Sequence, residues 1–239
     1  MRINIAINKA TFELKKNNIN TALLDSEILM SKVLNKSRKF LILNQDQELD
    51  NNNYKYYREL INERSQGKPI AYLTGTKSFW KYEFDINDKI LIPRPDTELI
   101  VEQVLKIYKN KSVINILEIG VGSGCILLSI LKEKNFFLGK GVDISGDCLK
   151  ICKINANKLR VNNRVKLFKS DVDNFSYGKY DLIISNPPYI KKLDLKYLDK
   201  GVSNFEPKLA LDGGLEGLSE IRKVIRKSSE LIKKKGKLI

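Results

Sequence analysis

The chain has 239 residues, 42% hydrophobic and 30% charged, with a formal net charge of +15, three cysteines and no histidine. That length allows a core domain plus a smaller one, and no run approaches the roughly 18 uncharged apolar residues that a membrane span needs. Without histidine, no Ser-His-Asp triad, Cys-His pair or imidazole base can be built within the chain, which leaves chemistry to carboxylates, Asn, Tyr, Lys and backbone groups.

The opening Met1-Arg2-Ile3-Asn4-Ile5-Ala6-Ile7-Asn8-Lys9 has no long apolar stretch and no small-residue cleavage site, so no secretory signal is read and the cytoplasm is the expected compartment. From Asn4 to about Gly67, apolar residues recur every three or four positions: Ile3, Ile7, Ala10 and Leu14, then Leu24, Ile28, Leu29 and Val33. This spacing predicts a small helical bundle. Asp25 and Asp50-Asn51-Asn52-Asn53 supply cap-prone residues near helix starts, and Gly67-Lys68-Pro69 supplies a stop. Between Ile70 and Pro95 the chain turns to Gly75, Phe79, Trp80, Tyr82, Phe84 and the β-leaning Ile90-Leu91-Ile92, ending on Pro93 and Pro95. That composition predicts a hairpin linker, and the expected divisions are a helical domain over 1–74, the linker over 75–95 and a sheet domain over 96–239.

A helix is predicted from about Asp96 to Tyr108. Strands follow at Val113 to Ile119, Gly139 to Ile144, Val165 to Phe168 and Tyr180 to Ser185, with helices at about Cys125 to Lys132, Asp147 to Lys158 and Leu218 to Lys234. Alternation at this spacing predicts an α/β doubly wound parallel sheet. Cys125, Cys148 and Cys152 lack metal-ligand spacing, so they read as reduced thiols and no metal is expected. The lysine excess is spread along the chain apart from Lys233-Lys234-Lys235, which reads as the solvated end of the last helix. Gly236-Lys237-Leu238-Ile239 reads as a helix stop followed by the first residues of a fifth strand, so the sheet domain is expected to be truncated at its C-terminus.

Two motifs carry chemistry. Glu118-Ile119-Gly120-Val121-Gly122-Ser123-Gly124 runs from a strand through a glycine turn into a helix, where the backbone can approach a ligand and free N–H groups point at it. Asp143 closes the next strand about 20 residues on, where a carboxylate can accept both ribose hydroxyls. Glu118 disfavours a pyrophosphate and suits an ammonium, and S-adenosylmethionine carries an ammonium, a ribose and a sulfonium but no phosphate. Asp171 and Val172, after the third strand, would lie beside its adenine. The alternative is a glycine turn that serves only packing.

The second motif, Asn186-Pro187-Pro188-Tyr189, follows the apolar run Asp181-Leu182-Ile183-Ile184-Ser185. Two prolines remove two backbone donors and leave nearby carbonyls free to accept. Asn186 adds a side-chain carbonyl and Tyr189 a flat face, a set suited to gripping a planar NH2 group. Alone, it is equally compatible with a proline-stiffened turn.

Together the motifs resemble class I S-adenosylmethionine-dependent methyltransferases, and more closely the release factor glutamine methyltransferases of the HemK type. Further matching segments are Asp25-Ser26-Glu27-Ile28-Leu29, Gly67 to Gly75 with Phe79-Trp80, Ile92-Pro93-Arg94-Pro95-Asp96-Thr97-Glu98, and Phe205-Glu206-Pro207 with Ala210-Leu211 and Gly213-Gly214. The resemblance implies methylation of the glutamine amide nitrogen in the Gly-Gly-Gln motif of class I peptide chain release factors. Asn186 and the Pro187 carbonyl would accept the two amide hydrogens, Tyr189 would pack on the amide plane, and the helical domain would clamp the partner. An adenine N6 amine of nucleic acid is a rival acceptor for the same tetrapeptide, and an inactive chain that binds without turnover is another.

Overall fold

The computed structural model describes residues 1–111 and 113–239, which fall into two compact units, Met1–Gly75 with Lys200–Phe205 and Thr76–Asp199 with Glu206–Ile239.

The first unit holds helices α1 (Ile3–Lys16), α2 (Ala22–Leu34), α3 (Arg38–Leu43), α4 (Asn51–Ser65) and α5 (Ile70–Thr74). Its core gathers Ile3, Ile7, Ala10 and Leu14 of α1 with Leu29 and Met30 of α2 and Tyr57, Leu60 and Ile61 of α4, as the three- and four-residue spacing predicts. Leu24 does not join them and is exposed, because the buried face of α2 runs through Ala22, Asp25, Ser26, Leu29 and Met30. Asp25 is therefore no cap. Its buried carboxylate accepts from Arg64 Nε at 2.7 Å and from the Thr21 hydroxyl at 2.8 Å, while Arg64 Nη1 donates to the Lys68 carbonyl at 3.1 Å and so braces the Gly67-Lys68-Pro69 turn. Asp50 does cap α4, accepting from the Asn53 amide at 2.8 Å.

The second unit opens on a hairpin of β1 (Thr76–Phe79) and β2 (Tyr82–Asp85). Ile90-Leu91-Ile92 forms no strand. Ile90 and Ile92 are buried, but the prolines that follow cannot donate to a ladder, and the Ile92 amide instead donates to the Glu206 carboxylate at 3.3 Å. Then come α6 (Glu98–Ile107), β3 (Asn115–Ile119), α7 (Cys125–Glu133), β4 (Leu138–Asp143), α8 (Gly146–Lys158), β5 (Val165–Lys169) and β6 (Tyr180–Ser185). The short α9 (Lys200–Ser203) falls in the first unit, and α10 (Ser219–Leu231) and β7 (Ile232–Leu238) complete the chain's elements.

The last helix stops three residues before its expected end, and Lys233, Lys234 and Lys235 lie in β7 rather than on a helix terminus. The fifth strand is seven residues long, held by the Ile239 amide donating to Ile183 O at 3.0 Å and the Ser185 amide donating to Ile239 O at 3.1 Å. Strand order is β5-β4-β3-β6-β7, with every pairing parallel. One face packs Ile116, Leu182 and Ile184 against Val101 and Val104 of α6, Leu127 and Leu131 of α7 and Cys152 of α8. The other packs Leu117, Ile119 and Ile183 against Val224 and Leu231 of α10. Because the chain leaves β3 toward β4 and β5 and returns on its far side as β6, the carboxyl ends of β3 and β6 flank the crevice where such sheets bind ligands.

Candidate active site

The turn after β3 takes positive φ at Gly120 (74°), Gly122 (52°) and Gly124 (80°). A Cβ on Gly122 would meet nothing within 4 Å, whereas one on Gly124 would lie 2.6 Å from Cys152 Sγ. Gly122 thus keeps the floor of the turn open to a ligand, and Gly124 lets the turn pack onto α8.

Glu118, only 2% exposed, accepts from the Leu127 amide at 3.0 Å, which places it at the free N–H groups of the α7 N-terminus. Among the described residues no cation pairs with it. Burial pushes its carboxyl well above the usual range, the Leu127 amide opposes that shift, and the nearby Asp143 adds to it. Asp143 accepts from the Gly122 amide through Oδ2 and from the Ser145 amide through Oδ1, each at 2.9 Å. Burial raises its pKa against those backbone donors. Each oxygen keeps acceptor capacity for one further donor.

Beyond β6, Asn186 Nδ2 donates to Thr97 Oγ1 at 3.3 Å. The loop is held from the side by the Ile190 amide donating to Leu211 O at 3.2 Å and the Gly213 amide donating to Ile190 O at 2.8 Å. Arg94 pairs with the buried Glu206 at 2.7 Å.

These groups surround one cavity of about 470 Å³. Of the residues singled out in the sequence, Glu118, Gly120, Val121, Gly122, Ser123, Asp143, Asp171, Val172, Asn186, Pro187 and Pro188 line it. Gly124 and Tyr189 do not. Gly124 shapes the turn from behind, and Tyr189 is 65% exposed. The lining also includes Arg94, Thr97, Pro207 and Lys223, none of which has a role that could be read from sequence. Thr97 lies in the Ile92 to Glu98 segment, whose pattern marks it without saying what it does. Cys125 and Cys148 line the cavity too, but burial pushes their thiols up to about 12 and about 11, so they are inert rather than nucleophilic. Among the described residues the cavity therefore offers a buried carboxylate without a cation, a second carboxylate suited to vicinal hydroxyls, and an amide oxygen, Asn186 Oδ1, that accepts from no donor.

Comparison with known proteins gives the chain's family. The PrmC N-terminal domain matches residues 6–75 and the methyltransferase small domain matches residues 95–207. The chain is similar to a release factor glutamine methyltransferase of Clostridium acetobutylicum, with 37% identity over 99% of this chain and 84% of that protein. It is also similar to one of Buchnera aphidicola subsp. Schizaphis graminum, with 40% identity over 89% of this chain and 76% of that protein. A SAM-dependent methyltransferase of Geobacter sulfurreducens, solved with S-adenosyl-L-homocysteine, overlaps 59% of this chain and 46% of its own at TM-score 0.40 and 14% identity. With relatives at this identity along nearly its whole length, the chain belongs to the release factor glutamine methyltransferase family and is a methyltransferase.

Proposed function

We propose that the chain transfers a methyl group from S-adenosylmethionine to the side-chain amide nitrogen of the glutamine in the Gly-Gly-Gln motif of class I peptide chain release factors, with no requirement for nucleic acid or membrane. The observation that carries this is that Glu118, Asp143 and the Asn186-Pro187 pair open on one cavity. The donor set fits the cofactor. Among the described residues Glu118 has no cation, which an ammonium would supply; Asp143 has two acceptor positions for ribose hydroxyls, and Asp171 and Val172, which line the same cavity, would flank an adenine. When bound, S-adenosylmethionine supplies a methyl group on an electrophilic sulfonium.

An amide nitrogen is a weak nucleophile because its lone pair is delocalised into the carbonyl. Asn186 Oδ1 and the Pro187 carbonyl accept its two hydrogens, and both bonds strengthen as positive charge develops on nitrogen; the methyl–sulfur bond would break as the methyl–nitrogen bond forms, and one amide proton would leave to solvent water. They stabilise the transition state more than the ground state, so they act on rate and not only on affinity. Tyr189, exposed next to Pro188 at the cavity lining, would pack on the amide plane. Parallel reactions with labelled S-adenosylmethionine on a class I release factor, the same factor with its Gly-Gly-Gln glutamine replaced, and DNA or RNA test the proposal. Label is expected in the intact release factor alone, and label confined to nucleic acid overturns the reading.

A further inference from the structure

We propose that Thr97 is a positioning residue that presents the oxygen end of the Asn186 side chain to the methyl acceptor, an inference that rests on the reading of Asn186 as the acceptor's grip. The two ends of an asparagine amide are nearly the same size and differ only in what they offer, two donors or an acceptor. The acceptor nitrogen of a primary amide brings two N–H donors, so it is held only if Asn186 turns its oxygen into the cavity. With the NH2 end inward, donor would face donor.

In the structure Asn186 Nδ2 donates to Thr97 Oγ1 at 3.3 Å, and among the described residues nothing donates to Oδ1. In this orientation the half-buried NH2 is satisfied and the oxygen is left available. Thr97 is itself held. It ends the 3₁₀ turn Pro95–Thr97, its amide donates to Arg94 O at 3.1 Å, and Arg94 is tied to Glu206 at 2.7 Å. Thr97 and Asn186 lie 89 residues apart in sequence and both line the cavity.

Thr97→Val keeps the shape and removes the hydroxyl, so the Asn186 NH2 loses its partner in the productive orientation. Its kcat for release factor methylation is expected to fall about tenfold or more, while KM for the release factor and the dissociation constant of S-adenosylhomocysteine stay within about twofold. Thr97→Ser, which keeps the hydroxyl, restores kcat. The double variant Thr97→Val with Asn186→Ala is no slower than Asn186→Ala alone, because the two residues act as one unit. The side-chain NH2 resonances of Asn186, identified by their absence in Asn186→Ala, shift in Thr97→Val and return in Thr97→Ser. Unshifted resonances with wild-type kcat in Thr97→Val overturn the role of Thr97 alone. An Asn186→Ala variant with undiminished methylation overturns the reading of Asn186 and this inference with it.

Discussion

A carboxylate as buried as Glu118 is costly unless a cation joins it, and its surroundings hold it toward the neutral form. Burial raises its pKa in the folded chain, so the folded state binds its proton more tightly than the unfolded state does. Stability from this group is fully present below the unfolded value near 4.5 and is lost as pH rises through the folded value, the reverse of a salt-bridged carboxylate. Asp143 shifts the same way for the same first cause. A ligand ammonium favours the ionised form of Glu118, so affinity for S-adenosylhomocysteine is expected to rise as pH rises through that range. Calorimetry in buffers of differing ionisation enthalpy should show proton release on binding. Glu118→Gln removes the titration. It is expected to flatten this pH dependence and weaken binding about tenfold or more, while leaving the unliganded protein at neutral pH as stable as the parent or more so. A Glu118→Gln protein that binds with the parent's affinity would remove Glu118 from the ammonium site.

Between elements, the glycine turn is secured by a side chain outside the cavity lining. Asn155, wholly buried in α8, accepts from the Asp85 amide at 2.8 Å and donates to the Asp85 carbonyl at 3.0 Å and the Ser123 carbonyl at 2.9 Å. It ties the end of β2, the helix and the turn in one step. Asn155→Ala leaves buried backbone groups without partners and is expected to cost about 2–4 kcal/mol of stability, measured by urea unfolding, and to raise the dissociation constant of S-adenosylhomocysteine as the turn loosens. A loss of stability without a change in binding would make Asn155 a strut for the hairpin alone. None of these bonds was legible in the sequence. The strands β3, β4, β5 and β6 were, to within two residues at each end, because buried parallel strands are short apolar runs bounded by turn residues. β7 was legible only at its end near Leu238, since Ile232-Lys233-Lys234-Lys235 carries the charge of a solvated helix end yet pairs with β6, residues some 50 positions away. The glycine turn and Asp143 were visible because their spacing is local. The Thr97–Asn186 bond and the Arg94–Glu206 pair span 89 and 112 positions, and no periodicity reports such a distance.

At the scale of the whole molecule, charge and site pull in opposite directions. A formal +15 draws anions toward the protein and repels a cationic ligand at long range, although at physiological ionic strength that field is screened beyond about 8 Å. The cavity lining carries six acids, Asp143, Asp147, Asp171 and Glu220 among them, against the three bases Lys89, Arg94 and Lys223. S-adenosylhomocysteine and a nicotinamide dinucleotide separate the two influences, since both carry adenine and ribose but only the first brings an ammonium, and the second brings a pyrophosphate. If the local carboxylates decide, S-adenosylhomocysteine at about 100 times its dissociation constant adds about 2.7 kcal/mol to the folded state. For a protein of this size that raises Tm by roughly 5–11 °C. The dinucleotide at the same concentration is expected to leave Tm within about 1 °C, because its pyrophosphate would meet the excess of carboxylates in the cavity lining. Differential scanning calorimetry with each ligand measures the difference. Equal shifts from the two would mean that overall charge and the adenine pocket, rather than the Glu118 carboxylate, set what this cavity accepts.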